Sequence, residues 1–312
     1  MTQRILVTTS SFDVQTSESL RRLQALGFEI VCNPHGRRLT EAEVGALFGP
    51  EVVGMIAGVE PLTRAALACA PNLRVISRCG TGLDSVDLVA AAERGIAVRN
   101  TPDAPSRAVA ELTLGLMLNL LRRISLADRE VRAGVWKPQM GNLLSEQVVG
   151  IIGYGNIGRR VARLATAFGA SVIAHDRFGI RDGVDVTEVG FEELLVRADI
   201  VTLHLPYLPE NHRLLDAARL GTMKRGALLI NAARGGLVDE NALHAALTKG
   251  QLAGAALDCF DQEPYQGPLA QLGNVVMTAH MGSYAKEARA LMEQEAAANL
   301  LGALTAQGVI SA

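Results

Sequence analysis

The sequence predicts an α/β protein made of two doubly wound, parallel-sheet domains. Three observations carry that reading. Short β-branched apolar runs alternate with amphipathic stretches almost from end to end, which is the pattern of parallel strands with helices on both faces. The alternation breaks once, at Asn100-Thr101-Pro102-Asp103-Ala104-Pro105, and then resumes. The second series opens with a strand, a glycine-rich turn and a helix.

In the first series, strands are expected over 5–8, 29–31, 52–56, 74–77 and 96–98. Helices are expected over 17–26, 41–47, 64–70 and 86–94, with Gly27, Gly58 and Gly95 at turns or helix ends. Thr40 followed by Glu43 is a capping-box signature. After the two prolines, Val109, Leu112, Leu116, Leu120 and Ile124 recur at three- and four-residue steps and predict one helix over 106–133. A loop over 134–147 holds the sole tryptophan, Trp136. The second series places strands over 148–153, 171–175, 200–205, 227–231, 254–257 and 274–278, and a last helix over 284–306.

Composition bounds the function. The 312 residues are 49% hydrophobic and 20% charged, which is ample for buried cores. Lys+Arg (30) nearly cancel Asp+Glu (32), so a broad basic surface for nucleic acid is not expected. No apolar run approaches the ~20 residues of a membrane span, and the first residues read as a strand rather than a leader, so no membrane partner is expected. Cys32, Cys69, Cys79 and Cys259 show no metal-ligand spacing, so no metal site is expected; they read as free thiols of a cytoplasmic protein.

The glycine turn is Gly153-Tyr154-Gly155-Asn156-Ile157-Gly158. Gly153 permits a tight turn, Gly155 lets backbone approach a pyrophosphate, and Gly158 permits close helix–strand packing. The helix that follows offers free N–H groups and a positive dipole end to phosphates. Asp176 ends the next strand at about the 20-residue spacing of a ribose-binding acid. A carboxylate there accepts from ribose hydroxyls and repels a 2′-phosphate, which favours NAD over NADP; Arg177 beside it tempers that preference.

Three later segments each follow a strand: Asn231-Ala232-Ala233-Arg234-Gly235-Gly236, Leu257-Asp258-Cys259-Phe260-Asp261-Gln262-Glu263-Pro264 and Ala279-His280-Met281-Gly282-Ser283. Hydride transfer from a carbinol needs a partner for the hydroxyl proton, and a histidine such as His280 suits that task near neutrality. A carboxylate such as Glu263 fixes its tautomer. A guanidinium such as Arg234 can hold a substrate carboxylate by two hydrogen bonds and polarise the reacting carbonyl.

These residues, with Arg78-Cys79-Gly80-Thr81-Gly82-Leu83-Asp84, Asn100-Thr101-Pro102 and Val109-Ala110-Glu111-Leu112, resemble the NAD-dependent D-2-hydroxyacid dehydrogenases, most closely the D-3-phosphoglycerate dehydrogenase-like branch. The resemblance covers nearly the whole chain. It implies a flavodoxin-like substrate domain over 1–100 and 285–312, a Rossmann NAD-binding domain over 101–284, and an active site in the cleft between them. It implies Arg234, Glu263 and His280 as the catalytic set, with Arg78 and the Cys79 and Gly80 backbone on the substrate, where exposed N–H groups would form an anion nest. It also implies cofactor contacts from Thr81, Gly153, Gly155, Asn156, Ile157, Gly158, Asp176, His204, Leu205, Ala232, Ala233, Asp258, Gly282 and Ser283, Asp258 lying near the nicotinamide carboxamide.

The reaction so implied is reversible oxidation of a D-2-hydroxy acid to a 2-oxo acid, 3-phosphoglycerate among the candidates, by a homodimer. Where some members carry basic residues for a substrate phosphate, this chain reads Ala57-Gly58-Val59-Glu60, and Glu60 would repel a phosphate if it faced the cleft. No added C-terminal regulatory domain is expected. The alternatives are an NAD-sensing, corepressor-like binding protein and a formate- or phosphite-type dehydrogenase of the same fold; a methyltransferase would leave Arg234 and His280 unexplained.

Overall fold

The computed structural model describes residues 2–181 and 185–311. In chain order the elements are β1 (Arg4–Val7), α1 (Glu18–Ala25), β2 (Glu29–Cys32), α2 (Glu41–Leu47), β3 (Val52–Ala57), α3 (Arg64–Ala68), β4 (Val75–Arg78), α4 (Leu88–Glu93), β5 (Ala97–Asn100), α5 (Ser106–Arg122), α6 (Ile124–Arg132), β6 (Val148–Ile152), α7 (Asn156–Ala167), β7 (Ser171–His175), β8 (Val186–Glu188), α8 (Phe191–Arg197), β9 (Ile200–Leu203), α9 (Ala217–Thr222), β10 (Ala227–Asn231), α10 (Glu240–Thr248), β11 (Leu252–Leu257), β12 (Val275–Met277) and α11 (Lys286–Ala306). They divide into two compact units, Met1–Pro105 with Ala285–Ala312, and Ser106–Tyr284.

The first unit holds a five-stranded, all-parallel sheet in the order β2-β1-β3-β4-β5, the flavodoxin-like doubly wound order. Leu20 and Leu23 of α1 join Met292, Ala296, Leu300 and Leu304 of α11 on one face. Val44, Leu67, Ala90 and Ala91, from α2, α3 and α4, cover the other. The capping box is present at α2: Thr40 accepts from Glu43 N, and Glu43 reaches back to Thr40 N. Gly27 and Gly95 end helices with φ of 92° and 68°. Gly58 does not take that conformation; it lies just past β3, and its amide donates to Glu60 Oε1 at 3.1 Å.

The second unit holds seven parallel strands in the order β12-β11-β10-β9-β6-β7-β8. The chain starts at β6, runs outward to β8, then returns to β9 on the other side of β6. That reversal is the Rossmann switch point. Leu116, Met117 and Leu121 of α5 pack with Val161, Ala162 and Ala165 of α7 on one face. Leu194, Leu220, Leu243 and Leu247, from α8, α9 and α10, line the other. A Cβ on Gly150 of β6 would stand 2.7 Å from Ala198 Cβ, so glycine lets α8 lie close to the sheet.

The helix expected over 106–133 is two helices. Arg123 takes a left-handed φ of 53°, and the Asn119 amide explains the break. Its Oδ1 accepts from Ser125 N at 2.9 Å and its Nδ2 donates to Ser125 Oγ at 2.7 Å, so a side chain caps the new helix from inside the old one. The three-residue β8 is an addition to the expected strands. The strand expected over 200–205 stops at Leu203, which leaves His204 and Leu205 beyond the sheet. Among the described residues, no helix is long and apolar enough to cross a membrane.

Candidate active site

The second unit assembles its polar groups at the carboxyl ends of its strands. At the switch point, β6 runs into Gly153, whose φ is 94°. A Cβ there would overlap His204 O, so only glycine lets β6 turn against the end of β9. A Cβ on Gly158 would overlap Gly153 O, which makes its absence the condition for seating α7 on the turn. Gly155 is different: nothing lies within 4 Å of its Cβ position. It caps α7 without a side-chain hydrogen bond, so the cap residue takes up none of the first amides of α7, from Asn156, Ile157 and Gly158. Asp176 is fixed at the end of β7, where Oδ2 accepts from Tyr154 N at 2.7 Å and Oδ1 from Phe178 N at 2.9 Å.

His204 is buried, and its Nε2 shares a 2.9 Å hydrogen bond with Thr202 Oγ1. Burial lowers the imidazole to about 3, so it is neutral at working pH. Its Nδ1 is buried with no partner among the described residues. An unmet polar atom of that kind, beside an uncapped helix end and an open glycine, fits a bound dinucleotide. These residues would hold the pyrophosphate at the α7 N-terminus and the adenosine ribose at Asp176.

Arg234, Glu263 and His280 follow β10, β11 and β12, three neighbouring strands of one sheet edge. Asn231 shapes the first of these turns. It is 1% exposed; its Nδ2 donates to Arg234 O at 2.7 Å and its Oδ1 accepts from Ala233 N at 3.1 Å. A Cβ on Gly235 would overlap the Phe260 backbone, so the turn carrying Arg234 lies directly on the loop carrying Glu263. That loop is pinned where Glu240 accepts from Asp261 N at 2.8 Å and Glu263 Oε1 accepts from Phe260 N at 3.1 Å. Both Glu263 oxygens stand 3.0 Å from His280 Nδ1. A carboxylate only accepts, so Nδ1 carries the proton and Nε2 is the basic nitrogen.

His280 has a φ of 51°, a left-handed conformation that needs support. Asp258 supplies it. Only 1% exposed, it accepts from Thr278 Oγ1 at 2.5 Å and from the amides of Met281 and Gly282, both at 2.8 Å. Three donors on one buried carboxylate make it the brace of the His280 turn. Leu205, Ala232, Ala233 and Ser283 are all half-buried along this same strand-end edge. Asn231, Glu240, Thr202 and Thr278 were not among the expected site residues. Asn231 stood in view as the first residue of a strand-end segment, whereas Glu240 carries no local signal.

In the first unit the expected anion nest is closed. Cys79 N donates to Ala57 O at 2.9 Å and Gly80 N to Thr101 Oγ1 at 2.8 Å, so both amides are spent within the protein. The reason is packing: Thr101 is fully buried against the turn, and Gly80, with φ of 141°, faces its hydroxyl. Arg78 donates to Cys79 O. Burial pushes the Cys79 thiol up to about 11, which suits a small turn residue and not a nucleophile. Thr81, exposed, has its carbonyl held by Asn100 Nδ2 at 2.7 Å.

Two parallel doubly wound units, one with a complete dinucleotide turn and a braced histidine–carboxylate pair on its strand-end edge, define a nucleotide-dependent α/β oxidoreductase architecture. Residues 114–282 match the family model described as D-isomer specific 2-hydroxyacid dehydrogenase, NAD binding domain, and the chain belongs to that family. NAD is the cofactor of that domain. The chain is 41% identical over 236 residues to a D-3-phosphoglycerate dehydrogenase of Methanocaldococcus jannaschii, covering 73% of this chain and 45% of that one. It thus spans less than half the length of that relative. It is 39% identical over 245 residues to a glyoxylate reductase of Thermococcus litoralis, 74% of each. Among solved structures, the TT0316 protein of Thermus thermophilus superposes with a TM-score of 0.88 at 40% identity, covering 97% of both chains.

Proposed function

We propose that the chain catalyses the reversible NAD-dependent oxidation of a D-2-hydroxy acid to the 2-oxo acid. The observation that carries this reading is the Glu263–His280 pair, with Nδ1 tied to the carboxylate at 3.0 Å, on the strand-end edge that also carries Arg234. Bound NAD+ supplies the hydride acceptor. Arg234 holds the substrate carboxylate and draws electron density from the reacting oxygen. In oxidation, His280 Nε2 takes the hydroxyl proton as hydride leaves the same carbon. Glu263 holds the ring in the competent tautomer and stabilises the imidazolium. In reduction the protonated Nε2 returns the proton to the carbonyl oxygen.

Asp176 supports NAD over NADP, because its carboxylate repels a 2′-phosphate and the adjacent Arg177 is drawn toward Glu210 at 3.3 Å. A homodimer is supported by exposed apolar side chains on the second unit. Val131, Val135 and Leu143 accompany Trp136 and Met140, which are 87% and 88% exposed. Light scattering on the purified chain reads that state. Four free thiols suit a reducing cytoplasm. The deciding experiment is NAD+ reduction with paired D- and L-2-hydroxy acids. Turnover of D-acids alone is the expected result, and L-selectivity or no turnover overturns the reading.

A further inference from the structure

The turn after β10 is closed by a side chain. Asn231, the last residue of that strand, is buried. Its Oδ1 accepts from Ala233 N at 3.1 Å while its Nδ2 donates to Arg234 O at 2.7 Å. The amide thus grips the two residues from both outer sides, at the N–H before the Ala233–Arg234 peptide and at the carbonyl after it. That grip needs one acceptor and one donor on a single planar group, which a carboxylate or a hydrocarbon side chain cannot supply. Arg234 Nη1 donates to Ala233 O at 2.7 Å. That carbonyl belongs to the gripped peptide, so a line of contacts runs from the Asn231 amide through the backbone to the guanidinium.

The amide is itself oriented from the neighbouring strand. Cys259 Sγ lies 3.5 Å from Asn231 Oδ1 and 3.6 Å from Asn231 O. Burial and the Asp258 charge push the Cys259 thiol up, so it stays protonated and donates. Asp258 N donates to Asn231 O at 2.9 Å. Asn231 therefore sits where the ends of β10 and β11 meet, too deep to touch a substrate. The Glu263–His280 pair is held by other contacts, those of the Phe260 amide, Glu240 and Asp258, to which the Asn231 side chain is not a party.

We propose that the Asn231 side-chain amide is a positioning residue of the reaction, setting the direction of the Arg234 guanidinium and with it the affinity for the substrate carboxylate. The inference rests on the hydroxyacid reading above. Two parallel hydrogen bonds between a guanidinium and a carboxylate fix both partners in one plane, so they tolerate little displacement. A shift of about 1 Å in such a clamp costs on the order of a hundredfold in rate. Loss of the Asn231 amide frees the Ala233–Arg234 peptide to turn, and the guanidinium that rests on its carbonyl turns with it.

The test uses the full chain with NADH and whichever of glyoxylate, pyruvate and hydroxypyruvate it reduces fastest. Asn231→Ala removes both side-chain contacts. Asn231→Asp keeps the acceptor for Ala233 N and removes the donor to Arg234 O. Each is expected to lower kcat/KM by about ten- to a hundredfold, chiefly through KM. NADH affinity, read by fluorescence titration, and the shape of the pH–rate profile are expected to hold, since the α7 turn and the Glu263–His280 pair are untouched. A second arm repeats both changes in an Arg234→Lys background. Lysine is a point charge on a flexible stem, so its reach depends little on how the turn is held. There the Asn231 changes are expected to cost less than about twofold, the non-additivity of residues that act through one another. A purely structural defect costs the same in either background and weakens NADH binding too, and that result overturns the inference. So does activity of both variants within about twofold of wild type. Where Asn231→Ala does not fold, Asn231→Asp decides; failure of both to fold makes the amide a structural brace and overturns the inference. These outcomes leave the hydroxyacid reading standing. A chain that reduces no 2-oxo acid at all sinks the proposed function and the inference with it.

Discussion

The two sheets end in polar edges of opposite character. At the edge of the seven-stranded sheet, polar groups are left open: α7 starts without a side-chain cap, and His204 Nδ1 has no partner among the described residues. At the edge of the five-stranded sheet, the turn after β4 is sealed. Cys79 N goes to Ala57 O and Gly80 N to Thr101 Oγ1. Both turns are glycine-containing and both follow a buried strand. The difference lies in what stands across from them. Nothing lies within 4 Å of the Gly155 Cβ position, whereas the Gly80 amide donates to the hydroxyl of a buried threonine. A glycine turn binds an anion only where the rest of the fold withholds acceptors from its amides.

The sharpest test of the open edge is His280→Ala. Loss of a general base costs about 10²–10⁴ in kcat. Cofactor affinity, read by NADH fluorescence titration, is expected to hold, since the α7 turn is untouched. Wild-type turnover in this variant would remove His280 from the chemistry.

Next in size is the brace beneath that histidine. Asp258→Ala strands three donors, two of them backbone amides, around a buried site. The expected loss is about 3 kcal/mol of unfolding free energy, measured by urea titration. Asp258→Asn keeps an acceptor and loses less. Equal stability of Asp258→Ala and wild type would mean that the His280 turn is held by something else.

Two glycines in one turn then separate packing from binding. Gly158→Ala drives a Cβ into Gly153 O, so its expected effect is lost stability. Gly155→Ala fills open space; the chain is expected to fold with normal stability and to bind NADH more weakly. Reversal of that pattern would break the assignment of the open edge. On the closed edge, Thr101→Val orphans the Gly80 amide at nearly constant volume. The expected cost is about 1–3 kcal/mol, in the range of an unsatisfied buried donor.

Whatever depends on neighbours in sequence was readable before the fold was known. The strand–turn–helix of residues 148–167, the capping box at Thr40 and the strand-end positions of Arg234, Glu263 and His280 all rest on local spacing. What depended on distant partners was hidden. The acceptor that closes Gly80 is 21 residues away, and nothing in Cys79-Gly80-Thr81 announces it. The break at Arg123 was invisible for a related reason. The apolar steps run through it, and a single Asn119 side chain diverts the backbone. Glu60 was legible as a charge just past a strand, but its burial against Thr8 required β1 and β3 to be neighbours.

The smallest expected effect belongs to His204, at the open edge. Its folded imidazole titrates at about 3, against an unfolded value of 6.5, because burial disfavours the cation. Between those values the unfolded chain binds a proton that the folded chain refuses. Stability attributable to this residue is therefore intact above about pH 6.5 and declines as the pH falls toward 3. His204→Gln removes the titration while keeping a hydrogen-bonding group for Thr202. Its unfolding free energy should fall less steeply with acid than that of the wild type, by at most about 1.4 kcal/mol per pH unit, the contribution of one proton. Parallel slopes in urea titrations across that range would mean that His204 is solvated in the folded chain, and the open edge would lose the buried nitrogen that distinguishes it from the closed one.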